Sequence, residues 1–107
     1  MAINKIDKIM MITIQYVQMP TSEGMNKIVE DKLNKLAKKY DWLIRAQVHF
    51  KKENGNGDVK TCEIELSAPG PRIFAKSSSN DFEKSLAETI KELDGQLRKK
   101  KTIMQKH

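Results

Sequence analysis

Ile44-Arg45-Ala46-Gln47-Val48-His49-Phe50-Lys51 alternates apolar and polar side chains without a break. A period of two puts Ile44, Ala46, Val48 and Phe50 on one face of an extended chain and Arg45, Gln47, His49 and Lys51 on the other. The stretch is a strand with one buried and one solvated face, and the flanking segments must supply its sheet partners. On its C-terminal side, Asn54-Gly55-Asn56-Gly57 reads as a hairpin loop, because Gly and Asn tolerate positive φ. A third strand near 59–67 follows, with Cys62, Ile64 and Leu66 on one face and Thr61, Glu63 and Glu65 on the other. Pro69-Gly70-Pro71 then makes a turn, with Gly70 suited to the second central position of a type II turn. The fourth strand is short, Arg72 to Lys76. Ile73 and Ala75 point one way and Phe74 the other, which leaves its inward face open. Aromatics are mostly buried, so Phe74 is expected in core packing despite its neighbours Arg72 and Lys76.

Two helices flank this meander. Residues 11–18 alternate Ile12, Ile14 and Tyr16 with Thr13 and Gln15, as a strand does, and Pro20 ends them. Thr21 and Ser22 are both plausible N-caps, and Glu23 sits in the first turn, where negative charge is favoured. Met25, Ile28, Val29, Leu33, Leu36 and Tyr40 then recur at helical spacing and form one apolar stripe. At about 100° per residue, Lys32, Lys35 and Lys39 fall together along one edge of it, while Glu30 falls beyond the other. After the fourth strand, Ser77-Ser78-Ser79-Asn80 leads into a second helix, with Asn80 and Glu83 as a capping-box variant. Its stripe is Phe82, Leu86, Ile90, Leu93 and Leu97. Asp81, Glu83 and Glu88 precede the cations 98–101, the order the helix dipole favours. Gly95 interrupts the helix at a cost of about 1 kcal/mol relative to Ala, so fraying is expected there.

The order is β-α-β-β-β-α, an α+β fold. The two hairpins make the last three strands antiparallel, and a helical crossover makes the first strand a parallel neighbour of the second. The simplest packing is a four-stranded mixed sheet with both helices on one face. The other face then carries Arg45, His49, Lys51, Glu63 and Glu65, which can pair across strands. One domain spans 11–101. Residues 1–10 read as a flexible leader, with no signal-peptide pattern, and 102–107 as a flexible basic tail.

Composition narrows the function. The 107 residues include 38% apolar ones, enough for one modest core. No apolar run approaches the ~18 residues of a membrane span, so no membrane partner is expected. The single cysteine, Cys62, cannot form an internal disulfide, which suits a reducing cytoplasm. It alternates with apolar neighbours and reads as an inert core thiol. His49 and His107 have no Cys or acid at ligand spacing, so neither metal nor other cofactor is expected. The pairs Glu63/Glu65 and Glu88/Glu92 have no sign of the burial that would tune an acid-base dyad. With no phosphate loop and no nucleophile-base set, the chain is not expected to be an enzyme or to take a small-molecule substrate.

The net charge is +6 and unevenly spread. Arg98, Lys99, Lys100, Lys101 and Lys106 lie in the last ten residues, which hold no acid. Setting those five aside leaves 15 of the 20 basic residues against 14 acidic ones. A second excess lies at 27–39, where Lys27, Lys32, Lys35, Lys38 and Lys39 face Glu30 and Asp31. Such clusters suit a polyanionic partner, although a solvated helix end reads the same way from charge alone. Tyr16, Tyr40, Trp42, Phe50 and Phe82 sit at core spacing or helix boundaries. The solvated sheet face thus has charges where an RNA-recognition motif needs stacking aromatics.

Four segments in this order resemble the ribosome hibernation-promoting factor family, also called the ribosome-associated inhibitor or sigma-54 modulation family. They are Glu30-Asp31-Lys32-Leu33-Asn34-Lys35-Leu36 with Lys38-Lys39-Tyr40-Asp41; Ala46-Gln47-Val48-His49-Phe50-Lys51; Ile73-Phe74-Ala75-Lys76 with Asn80-Asp81-Phe82-Glu83; and Leu93-Asp94-Gly95-Gln96-Leu97-Arg98-Lys99-Lys100-Lys101. The resemblance spans 11–101 and implies the fold read above, related in shape to double-stranded RNA-binding domains. It further implies binding to the small ribosomal subunit and its ribosomal RNA, across the tRNA and mRNA sites, so as to inhibit translation in idle ribosomes. The contact residues it implies are Lys32, Lys35, Lys39, Arg98, Lys99, Lys100 and Lys101. Off the ribosome a monomer is expected. Longer members pair two ribosomes through a second domain, which is not expected of this sequence. The alternative is a general binder of double-stranded or structured RNA.

Overall fold

A computed structural model describes residues 10–53 and 59–105. The elements run β1 (Met11–Val17), α1 (Glu23–Lys39), β2 (Arg45–Glu53), β3 (Val59–Ser67), β4 (Ile73–Ser79) and α2 (Phe82–Gln105). This is the β-α-β-β-β-α order read from the sequence. The expected hairpin loop at 54–57 lies outside the described residues, as do 1–9 of the expected leader.

The sheet order is β1-β2-β3-β4. β1 lies parallel to β2, and the other two pairings are antiparallel. Register aligns the apolar rows across the sheet. Ile14, Val48, Ile64 and Ala75 form one such row, and Ile12, Ala46, Leu66 and Ile73 another. Against this face pack Val29, Leu33 and Leu36 of α1 and Leu86, Leu93 and Leu97 of α2, so both helices share one core. Phe50 is fully buried in it, with ring centroids of Tyr16 and Phe82 each 5.3 Å away. Burying a side chain of this size contributes roughly 1.5–3 kcal/mol. Cys62 is fully buried beside it, and burial pushes its thiol up to about 12, which keeps it protonated and inert.

The helix ends follow local chemistry. Ser22 caps α1, its Oγ accepting from the Met25 amide at 3.1 Å. The cap of α2 is Asp81, not Asn80: Asp81 Oδ2 accepts from the Lys84 amide at 3.0 Å. The cap falls one residue later than expected, and β4 runs three residues beyond its expected end at Lys76. Ser77, Ser78 and Ser79 continue the strand opposite Cys62, Thr61 and Lys60. Ser78 Oγ lies 2.8 Å from Thr61 Oγ1, a side-chain bond that supports this polar strand end.

Five further expectations are corrected. Phe74 is 52% exposed on the outer sheet face, because β3–β4 register places Ile73 opposite Leu66 and Phe74 opposite Glu65. Met10, assigned to the leader, is buried in the core, one strand repeat before Ile12. Ile44 has the parity of the core row but lies before the strand's first pair and stays exposed. The segment 102–105, assigned to a flexible tail, continues α2, and Gly95 does not break that helix. The outer face carries the ion pairs Lys51–Glu63 at 3.0 Å, Lys76–Glu63 at 3.8 Å and Arg72–Glu65 at 2.9 Å.

Candidate nucleic-acid interface

Packing two amphipathic helices side by side on a sheet leaves a furrow between their solvent flanks. Here Leu36, Ala87 and Ile90 line it as the apolar part, and Lys32, Lys35 and Lys39 of α1 as one rim. Lys91 and Asp94 of α2 line the other side. The basic edge read from helical spacing on α1 therefore faces α2. Lys35 and Lys91 are exposed and Lys32 is half-buried, as a lysine can be while keeping its ammonium in water.

Asp94 organises the C-terminal half of the furrow. Its Oδ1 accepts from the Tyr40 hydroxyl at 2.8 Å and from Lys39 Nζ at 3.0 Å. Its Oδ2 accepts from Arg98 Nη2 at 3.3 Å. Burial pulls the Asp94 carboxyl upward, but the hydrogen bonds from Tyr40 and Lys39 and the charges of Lys39 and Arg98 outweigh it. The carboxyl is held below its usual range and stays ionised. Tyr40 is buried, and burial first, then the bond to Asp94 and its charge, raise the Tyr40 phenol. Lys39 and Lys101 place ammoniums 5.5 and 5.9 Å from the Tyr40 ring centroid, within cation-π range. Trp42 packs edge-on against the same ring at 5.7 Å.

The seven cations expected to touch RNA do not form one surface. Lys32, Lys35 and Lys39 line the furrow, and Arg98 and Lys101 reach its Asp94–Tyr40 end. Lys99 lies around α2, in a shallow depression with Lys91, Glu92, Gly95, Gln96 and Arg98. Lys100 turns the other way, towards the turn at Gly70, where a Cβ would lie 2.9 Å from its Nζ. Helical geometry requires this divergence, since four consecutive residues span about 300° of a helix.

Sequence reading missed Lys91 and Asp94. Lys91, Asp94 and Arg98 follow an i, i+3, i+7 spacing on one flank of the α2 stripe. That signal was present, but which flank faces α1 is settled only by helix packing.

Among the described residues no helix is long and apolar enough to cross a membrane. The fold is similar to solved structures. One is a ribosomal subunit interface protein from Coxiella burnetii, with a TM-score of 0.78 and 24% identity, covering 87% of this chain and 99% of that one. Another is the Protein Y N-terminal domain of Thermus thermophilus, with a TM-score of 0.73 and 18% identity, covering 84% and 97%. No curated protein matches the sequence. Residues 12–105 match the model of the sigma 54 modulation protein / S30EA ribosomal protein family, and the chain belongs to that family.

Proposed function

We propose that this protein binds the small ribosomal subunit through the furrow between its helices, occupies the tRNA and mRNA sites, and so keeps idle ribosomes from translating. The observation that carries the reading is family membership along 12–105 joined to a furrow lined by Lys32, Lys35, Lys39 and Lys91. A fold-level likeness to a ribosomal subunit interface protein supports the same partner.

The chemistry is positional and electrostatic. Two helices anchored on one sheet hold their cations on a fixed frame, so less side-chain freedom remains to be lost on docking. Each phosphate neutralised releases condensed counterions, which makes binding strong at low salt and weak at high salt. With Lys32, Lys35, Lys91 and Lys101 in play and Lys39 and Arg98 paired with Asp94, ~4 phosphates would be neutralised, for a log-log salt slope of roughly −2.8 to −3.6. Inhibition needs no bond chemistry: a domain seated where tRNA and mRNA must lie excludes them. The protein acts as a monomer in the cytoplasm.

The test is competition. Purified small subunits preloaded with the protein should fail to take up tRNA and mRNA, and a cell-free translation reaction should slow in proportion to subunit occupancy. Normal tRNA uptake by fully occupied subunits would refute inhibition at these sites. Equal affinity for free duplex RNA would favour the general RNA-binding alternative.

A further inference from the structure

Among the described residues, the furrow has one acid in its lining, and that acid lies among the cations rather than at the periphery. Asp94 accepts from Lys39 on α1, from Arg98 one turn on in α2, and from the buried Tyr40 hydroxyl. Its side chain is 22% exposed, so the charge is partly shielded from water yet still open to the furrow. A carboxylate here does two things. It pairs with two long cationic side chains, one from each helix, and it cancels part of the positive potential that would otherwise draw a polyanion to this end of the furrow.

We propose that Asp94 is the selectivity residue of the furrow: it holds Lys39 and Arg98 apart from incoming polyanions and repels unstructured strands, so that RNA is accepted only when its fold brings phosphates to the rims at Lys32, Lys35 and Lys91. This rests on the RNA-binding reading above and goes beyond it. Discrimination is a difference of affinities, and a repulsive element in the site lowers the wrong partner more than the right one. A flexible strand gains most by following every cation of a basic furrow, those around Lys39 and Arg98 included, so a fixed negative charge at that end penalises it directly. A folded RNA with phosphates already set at the rim spacing avoids the penalty. A residue that merely clamped α1 to α2 would affect both partners alike.

The experiment uses the full chain, its D94N and Y40F variants, and two probes: a uridylate oligomer and purified small ribosomal subunits. Affinities are measured across a salt series, with thermal melts as the folding control. D94N keeps an oxygen acceptor for Tyr40 but loses the charge, whereas Y40F keeps the charge and loses the hydroxyl. The expected result for D94N is a rise in oligomer affinity of roughly fivefold or more. Its oligomer salt slope should steepen by ~0.7, one phosphate on a single strand. Subunit affinity should change far less, and Y40F, which loosens the Asp94 contact but keeps its charge, should show no comparable gain on the oligomer. The proposal is overturned if D94N leaves the oligomer affinity and slope unchanged, if it shifts both probes by the same factor, or if Y40F reproduces it. If the unmodified chain does not bind subunits while D94N still tightens on the oligomer, the ribosomal reading fails and the selectivity proposal fails with it, leaving only the penalty that Asp94 sets on single strands.

Discussion

Tyr40 and Asp94 lie 54 positions apart in the sequence, and the Tyr40 hydroxyl donates to Asp94 Oδ1 at 2.8 Å. That bond joins the C-cap of α1 to the middle of α2, and Lys39 and Arg98 pair with the same carboxylate. One contact therefore belongs both to the core boundary and to the basic furrow.

The pH dependence of stability follows from it. The Asp94 carboxyl titrates lower folded than its ordinary value of 3.8. A depressed acid contributes stability that is present above the unfolded value and lost as pH falls through the folded one. Thermal melts from neutral pH downward should show part of the acid-side loss removed in D94N. An identical acid limb in both proteins would mean that the carboxylate is not held by these partners.

The two glycines near the C-terminal helix should respond oppositely to alanine. Gly70 has φ of +95°, a backbone setting that disfavours any Cβ, and its Cβ position is crowded by Lys100 Nζ. G70A should cost about 1 kcal/mol or more, chiefly through backbone strain, because the lysine tip can move. Gly95 lies inside α2 with open space around its Cβ position. G95A should stabilise by about 0.8–1 kcal/mol. Denaturant titration of both variants reads the signs.

Much of this fold was legible in the sequence because its signals are periodic. Ala46, Val48 and Phe50 of β2 and Cys62, Ile64 and Leu66 of β3 alternate, and every one of them is buried. Val29, Leu33 and Leu36 keep the helical spacing and are buried too. What failed were the decisions that need a neighbour. Phe74 outweighs Ile73 and Ala75 in apolar bulk, yet backbone pairing with β3 sets the parity of β4 and turns Phe74 outward. Serines 77–79 carry no strand signal, and β3 recruits them by pairing. For the furrow, the α1 rim was readable from one helix, whereas Lys91 and Asp94 became part of it only through helix packing.

Substitutions in β4 separate the two readings of that strand. I73A removes a buried side chain and should destabilise by roughly 2–4 kcal/mol. F74A removes a half-exposed ring and should cost under about 1 kcal/mol. A larger loss for F74A than for I73A in urea unfolding would contradict the observed register.

The furrow rims can be tested with charge-matched variants. Lys91 lines the furrow and so belongs with the rim. K32E/K35E/K91E and K27E/K38E/K52E change net charge equally. Lys27, Lys38 and Lys52 are exposed and do not line the furrow. The rim variant should lose roughly tenfold or more in subunit affinity beyond the control and flatten the salt slope by ~2–3. The control should melt close to the unmodified protein, since exposed substitutions usually shift stability within about 0.5 kcal/mol each, and the rim variant somewhat lower, because Lys32 is half-buried. Equal losses would mean diffuse attraction with no docking edge.

Co-sedimentation with purified small ribosomal subunits is the most direct test of the central claim. At low salt the unmodified protein should travel with the subunit peak and the K32E/K35E/K91E variant should stay at the top of the gradient. Unmodified protein remaining at the top, or the variant travelling equally well with the subunits, would contradict ribosome binding through the furrow between α1 and α2.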